Sequence, residues 1–595
     1  MRRAVVQNLR AVRRPNAARS KVSGNVLFHR SLATRSSTAP SSMRLRRVSL
    51  AVGAVAAGGA AIYQYRQSSN STAASAQSAS PTNYASPSAP GATTGPVSEE
   101  VADAVRRALI VEQGALYTSV IPDNQPLHKE TDDYGRKVLE MLTADQATQK
   151  LRTNQESYLV GRGSGVVRYD VVQIPSNDPI EDDHAEKIIH VPESVSGQSE
   201  GSDWMFWGVF DGHAGWTTSA KLRQTLISYV ARELNTTYSA ASANSSLKPP
   251  PSDAVDAAIK KAFTLLDHEI TNESVKKVQN AKSRSLAAEL LAPALSGSCA
   301  LLSFYDSRSK ELRVACTGDS RAVLGRRAAS GKWTATALSV DQTGGTESEN
   351  ARLRKEHPNE PYVTHNGRIL GGLEPSRAFG DAVYKWSKET QDLLRKNFFT
   401  RSYSKHLKTP PYVTAEPVVT TTKVQPEKGD FVVMATDGLW EMLTNEEVIG
   451  LVGMWLDQQA HTAPQQNQSW LKSWFSSNKA ASALNVEGAA HGEDATGQRA
   501  PIRQQQWGVN DPEFQRFVVE DKNAATHLAR NALGGKDQDT LSALLTLPSP
   551  YSRRYRDDLT IEVIFFGEGG PERSGKVELN KEASALSSES VKAKL

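Results

Sequence analysis

Five short apolar runs stand out along the chain: WMFWGVF (204–210), SCALLSFYD (298–306), ELRVACTGD (311–319), FVVMATD (431–437) and LTIEVIFF (559–566). Their lengths and their β-branched and aromatic content predict strands. The second and third are joined only by the polar SRSK, and Ala322 to Leu338 holds a similar pair around Ala329-Ser330-Gly331-Lys332. Connections this short make antiparallel hairpins rather than crossovers. Elsewhere the period changes. Leu222, Leu226, Val230 and Leu234, with Ile227, recur at helical spacing, as do Val255, Ile259, Phe263, Leu266 and Ile270 after the breaker PPPS. Thr444 and Glu447 suit a capping box that opens a third helix in TNEEVIGLVGMWL. Sheets with a core face and amphipathic helices imply a layered α+β domain.

Outside these runs the chain is of another kind. Residues 1–98 hold 13 Lys/Arg and no Asp or Glu, whereas 99–595 hold 57 basic against 65 acidic residues, a balance of −8. The formal charge of +5 is therefore an N-terminal property, and the body carries no nucleic-acid footprint. Residues 1–47, rich in Arg, Ser and Ala, have the composition of a mitochondrial presequence. Val48 to Tyr65 is an 18-residue uncharged segment with Arg44, Arg46 and Arg47 before it and Arg66 behind. It reaches the minimum spanning length, so an inner-membrane anchor and a removed or buried segment are both open readings. As an anchor, it would leave its N-terminal side in the matrix and the body in the intermembrane space. Residues 66–98 read as a flexible linker, and roughly 461–508 as a polar surface insertion within a folded domain spanning 153–567. The tail, 568–595, ends Ala593-Lys594-Leu595, close to the S-K-L peroxisomal address.

Two cysteines exclude a disulfide framework. The C-x5-R spacing of a thiol phosphatase also fails, because Tyr305 and Ala322 stand where its arginine would follow Cys299 and Cys316. What carries chemistry instead is acid at strand ends. Asp211-Gly212 follows the first run and Asp437-Gly438 the fourth, Asp557-Asp558 precedes the fifth, and Glu181-Asp182-Asp183 lies near another strand entry. One Asp-Gly is a turn signal. Several carboxylates held together repel one another unless a cation neutralises them, and all-oxygen ligation favours Mg2+ or Mn2+. Two such ions would activate a bridging water for in-line displacement at phosphorus, with no covalent intermediate.

VFDGHAG (209–215), SGSCALLSFYD (296–306), CTGDSRAVL (316–324), SRAFGD (376–381), MATDGLWE (434–441) and YRDDLTIEV (555–563) together resemble, in order, the motifs of the PPM-type (type 2C) metal-dependent protein serine/threonine phosphatases. The resemblance implies a four-layer αββα sandwich, two antiparallel β-sheets flanked by helices, with metals at one end. It implies two ions per domain held by Asp211, the Gly212 carbonyl, Asp437 and Asp557, with Asp182 as water-mediated ligand and Asp319 serving a third, looser ion. It further implies His213 as general acid, and gives Asp558, where many members have Asn, a supporting place at most. A phosphate-binding arginine common in the family is replaced here by Asn177. Arg168 is a candidate substitute cation, although a solvated surface position is its plainer reading. PIEDDHAE, GDSRAV, PSRAFGD and YRDDLT look most like the pyruvate dehydrogenase phosphatase branch and its fungal mitochondrial relatives, so the expected substrate is the E1 component of the pyruvate dehydrogenase complex. The competing expectations are an active phosphatase for another mitochondrial or peroxisomal phosphoprotein, and a silent phosphoprotein-binding scaffold.

Overall fold

The computed structural model describes residues 106–585, apart from 113–114, 122–130, 133, 197–200, 244–248, 282, 399, 463–483, 488–515 and 568–573. The chain divides into two units, Met1–Pro90 and Gly91–Leu595, and the described residues all belong to the second. The expected presequence, apolar segment, linker, most of the polar insertion and the terminal triplet lie outside the described residues. Among the described residues no helix is long and apolar enough to cross a membrane.

Two antiparallel sheets face each other. The smaller is ordered Val418–Lys423, Glu311–Thr317, Ala300–Asp306, Ser202–Phe210, Asp183–Val191. The larger is ordered Trp333–Ala337, Arg321–Arg327, Phe431–Ala435, Leu559–Phe566, Val166–Ile174, Gln155–Val160, Val577–Leu579. Both predicted hairpins form, with Asp306 opposite Glu311 and Arg327 opposite Trp333. Between the sheets, Met205, Trp207 and Val209 from one meet Val171, Met434 and Ile564 from the other. The outer face of the smaller sheet is covered by the helices Thr217–Ala243, Ser252–His268 and Arg284–Leu295, whose stripe Leu222, Leu226, Val230 and Leu234 is buried. Ala144–Arg152, Asn445–Thr462, Ala524–Leu533 and Gln538–Thr546 cover the larger sheet. This is the αββα sandwich. The capping box forms as read: Glu447 N–H donates to Thr444 Oγ1 at 3.2 Å, and Thr444 N–H donates to Glu447 Oε2 at 3.0 Å.

The body extends past the limits expected from sequence. Leu109, Val111, Ala147 and Leu151 join the core on the larger sheet, and Val577–Leu579 adds an edge strand by pairing with Gln155–Val160. Within the insertion, Leu484 and Val486 pack against the same core, and Trp333 N–H donates to the Asn485 carbonyl at 2.8 Å. Arg168 also differs from expectation, being neither surface nor near the acids. Its guanidinium is buried, forks onto Asp170 with two 2.8 Å bonds and stacks over Trp455. A strand covered on both sides by layers leaves a charged side chain there no route to water, so its partner lies two residues along on the same face.

Candidate active site

The acids singled out in the sequence end on neighbouring strands of the two sheets. Asp182 directly precedes Asp183–Val191, Asp211 directly follows Ser202–Phe210, Asp437 begins the short helix after Phe431–Ala435, and Asp557 and Asp558 precede Leu559–Phe566. Asp182 is buried, and its Oδ2 accepts the hydroxyls of Thr436 and Thr560, each at 2.9 Å. Thr560 lies in Leu559–Phe566 and Thr436 directly follows its paired strand Phe431–Ala435, and Thr560 N–H itself donates to Thr436 Oγ1 at 3.1 Å. One oxygen of Asp182 is thus fixed from the opposite sheet.

The electrostatics record how close the acids lie. Burial and the charges of Asp437, Asp182 and Asp319 push Asp211 well above the carboxylate range, opposed by Arg553. Burial and Asp558 do the same to Asp182, against the pull of the two threonine hydroxyls. Burial and Asp437 raise Asp319 to about 7. Asp319 also accepts a hydrogen bond from Cys299 Sγ at 3.1 Å, so that buried cysteine touches the site while burial pushes its thiol up and keeps it inert. Asp557 is ion-paired with Arg553, whose side chain is about one third exposed at 32%. Carboxylates gathered this way fit divalent ions taking oxygen ligands, which would lift the mutual repulsion.

Gly212 has a steric reason to be glycine. A Cβ there would lie 2.1 Å from the Glu181 carbonyl oxygen and 2.9 Å from Ser219 Oγ. Its neighbour His213 places Nε2 2.6 Å from Asp381 Oδ2. Burial disfavours the imidazolium, but the charge and hydrogen bond of Asp381 outweigh it and raise His213 above its ordinary value. Room for the pair comes from Gly297, where a Cβ would meet His213 Nε2 at 2.1 Å and Asp381 Oδ2 at 2.3 Å. Asp381 holds a left-handed backbone at φ 46°, a costly conformation for a residue with a side chain.

Four features escaped the sequence reading: Asp381, the threonines on Asp182, Arg553 and the place of Asp558. Asp558 is buried. Its Oδ1 accepts the N–H groups of Ser176 (2.5 Å) and Asn177 (2.9 Å), and its Oδ2 accepts from Glu181 N–H (3.0 Å) and Asn177 Nδ2 (3.2 Å). Asn177 is therefore tied into the loop, with Nδ2 also 3.3 Å from Glu181 Oε2. The threonines carried a usable signal, since Thr-Asp-Gly and Asp-Asp-Leu-Thr put a hydroxyl beside each acid.

A family profile described as Protein phosphatase 2C matches residues 175–492, a span that includes Asp182, Asp211, Gly212, His213, Asp319 and Asp437. The chain is 45% identical over 441 residues to the mitochondrial [Pyruvate dehydrogenase [acetyl-transferring]]-phosphatase 1 of Saccharomyces cerevisiae, covering 72% of this chain and 74% of that protein. It is 45% identical over 426 residues to a protein phosphatase 2C homolog of Schizosaccharomyces pombe, covering 71% and 85%. To the human mitochondrial [Pyruvate dehydrogenase [acetyl-transferring]]-phosphatase 1 it is 32% identical over 490 residues, covering 71% and 83%.

Proposed function

This chain belongs to the protein phosphatase 2C family, and from that premise we propose how its acids work and which phosphoprotein they serve. The chain is a protein serine/threonine phosphatase of a metal-dependent family. Asp211, the Gly212 carbonyl, Asp437 and Asp557 would hold a pair of Mg2+ or Mn2+ ions, with Asp182 as a water-mediated ligand, and Asp319 would serve a third. When bound, such ions lower the pKa of water and neutralise charge on the phosphoryl group. Asp182, with Oδ2 held by two hydroxyls, is fixed in place and would orient the attacking water. His213, whose imidazolium the Asp381 carboxylate favours, gives its proton to the departing serine or threonine oxygen, which leaves poorly as an alkoxide. Arg553 supplies the cation for phosphate that Asn177 does not.

The observation that carries this reading is the convergence of buried, mutually repelling acids from both sheets onto one end of the sandwich. Retention of every family aspartate argues against a silent scaffold. The names of the relatives support the phosphorylated E1 component of the pyruvate dehydrogenase complex as substrate and a mitochondrial address, and a matrix location suits that substrate. The test is phosphate release from a phosphoserine E1 peptide with added Mg2+ or Mn2+. Chelation and Asp211→Asn or Asp437→Asn are expected to abolish turnover, while thiol alkylation leaves it intact. Turnover that survives both chelation and Asp211→Asn overturns the assignment.

A further inference from the structure

Asp381 meets His213 from a turn that the backbone does not favour. Gly380 (φ 68°) and Asp381 (φ 46°) are successive left-handed residues, and for a residue with a side chain that conformation persists only where its surroundings over-determine it. On one side Asp381 N–H donates to the Ser296 carbonyl at 2.9 Å. On the other the turn is held by a buried ion pair. Asp267, the penultimate residue of Ser252–His268, accepts Gly380 N–H on Oδ1 at 3.0 Å and Lys385 Nζ on each oxygen at 2.8 Å. Lys385 Nζ also donates to the Ala378 carbonyl at 2.8 Å. The pair thus grips the turn at Ala378 and Gly380, and Lys385 itself follows four residues after Asp381.

Stability alone is a poor reason for such a pair. The side chains of Lys385 and Asp267 are only 8% and 12% exposed, and burial pushes Asp267 up in spite of Lys385 and the Gly380 N–H. Well-packed apolar residues in place of a buried ion pair are often no less stable, whereas the pair fixes geometry that apolar contacts leave loose. The helix that carries Asp267 is also shaped toward this segment. Directly after His268 it widens into a π-turn, Glu269–Glu273, and the Thr271 carbonyl within it accepts Trp386 Nε1 at 2.8 Å. Widened turns of this kind recur at functional sites. Asp267 and Thr271 therefore take hold of adjacent residues, Lys385 and Trp386, in the one segment that delivers Asp381.

We propose that Asp267 and Lys385 are positioning residues for proton delivery: the pair pins the turn 378–381 so that Asp381 Oδ2 stays 2.6 Å from His213 Nε2. The inference rests on the reading of His213 as general acid. The side-chain hydrogen bonds of the pair end on each other and on this turn, which makes Asp381 the route by which it acts. Without the pair the turn is free to leave its left-handed pose, and the contact that orients the imidazole opens. The cost falls on reactions whose leaving group needs a proton.

The experiment uses the full chain with Mn2+ and reads the ratio of kcat on a phosphoserine peptide to kcat on p-nitrophenyl phosphate. Asp267→Leu combined with Lys385→Met removes both charges together, beside the core residues Phe379 and Trp386, and leaves no unpaired ion behind. The double variant should lower the ratio by about tenfold or more, a share of the 10²–10⁴ that a placed acid supplies. Added to His213→Ala it should lower the ratio no further, because the two changes disable one step. A pair that serves only stability moves the melting temperature and not the ratio. Asp267→Asn, which keeps an acceptor for Gly380 N–H, serves if the double variant does not fold, as judged by circular dichroism, and should move the ratio the same way. A folded variant with the wild-type ratio overturns the proposal, as does one that lowers the ratio equally with and without His213. Should His213→Ala alone leave the ratio at its wild-type value, the acid reading itself falls and takes the role of the pair with it.

Discussion

Asp558 accepts the backbone N–H of Glu181 at 3.0 Å and that of Asn177 at 2.9 Å, and so fixes from the opposite sheet the loop that delivers Asp182. The acid beside Asp557, a proposed metal ligand, thus acts as a clamp on the other strand's entry.

Removing that clamp should loosen Asp182 without touching a metal ligand. Bonds to a charged acceptor contribute about 1.5–3 kcal/mol each, so Asp558→Ala is expected to raise the Mn2+ concentration for half-maximal activity by at least about tenfold. Asp558→Asn keeps one acceptor oxygen and should fall between. Activity against Mn2+ concentration checks this; identical curves for wild type and Asp558→Ala would dismiss the clamp.

Proton delivery gives a second expectation, because its importance depends on the leaving group. A serine oxygen leaves poorly without a proton, which His213 is proposed to give, whereas p-nitrophenolate leaves unaided. His213→Ala should cost about 10²–10⁴ in kcat on a phosphoserine peptide and far less on p-nitrophenyl phosphate. Asp381→Asn, which leaves the imidazole without the charge 2.6 Å away, should show the same asymmetry at smaller size. Equal losses on the two substrates would remove His213 from the acid's role.

Arg553 should separate substrate binding from metal binding. Its pairing with Asp557 and its exposure place it at the mouth of the acid cluster. Arg553→Ala is expected to raise KM for a phosphopeptide by about 10–100-fold, the size of a charge-assisted phosphate contact, while Mn2+ affinity holds or improves because Asp557 is freed. Arg553→Lys keeps charge but loses the fork and should recover only part. A KM that stays at the wild-type value would return the phosphate contact to some other group.

Elements whose cause is local were legible in the sequence. The strand Leu559–Phe566 coincides with its apolar run, and Thr444 caps Glu447 because both partners lie within one turn. The acids were legible as well, since each sits where an apolar run stops. What stayed hidden depends on partners distant along the chain. His213 and Asp381 are 168 residues apart, and nothing near either one marks the other. Arg168 failed for the opposite reason. Its residue type signals surface, but a sheet covered on both faces buries it against Asp170 and Trp455. Glu562 is likewise invisible as a core residue until the facing strand brings His184 and Glu186 to it.

Acid stability follows from a histidine that chemistry does not use. His527, inside Ala524–Leu533, is fully buried; its Nε2–H donates to the Leu451 carbonyl at 3.0 Å and its Nδ1 accepts from Asn531 Nδ2 at 3.2 Å. The acceptor role of Nδ1 requires the neutral ring, and burial pulls its pKa down to about 4 against the pull of the Leu451 carbonyl and Asp521. The folded value lies below the unfolded one, so the unfolded chain binds the extra proton first. The contribution is complete above about pH 6.5 and is lost as pH falls toward 4, at about 1.4 kcal/mol per pH unit. At pH 5 that amounts to about 2 kcal/mol relative to pH 7. Glu349, held at about 2 by two arginines in spite of its burial, gives way only in a lower window, from about 4.5 downward, so the two do not overlap above pH 5. Urea unfolding at pH 7 and pH 5 should therefore show a smaller difference for His527→Gln than for wild type, whatever the variant's stability at neutral pH. An unchanged difference would place the acid sensitivity elsewhere.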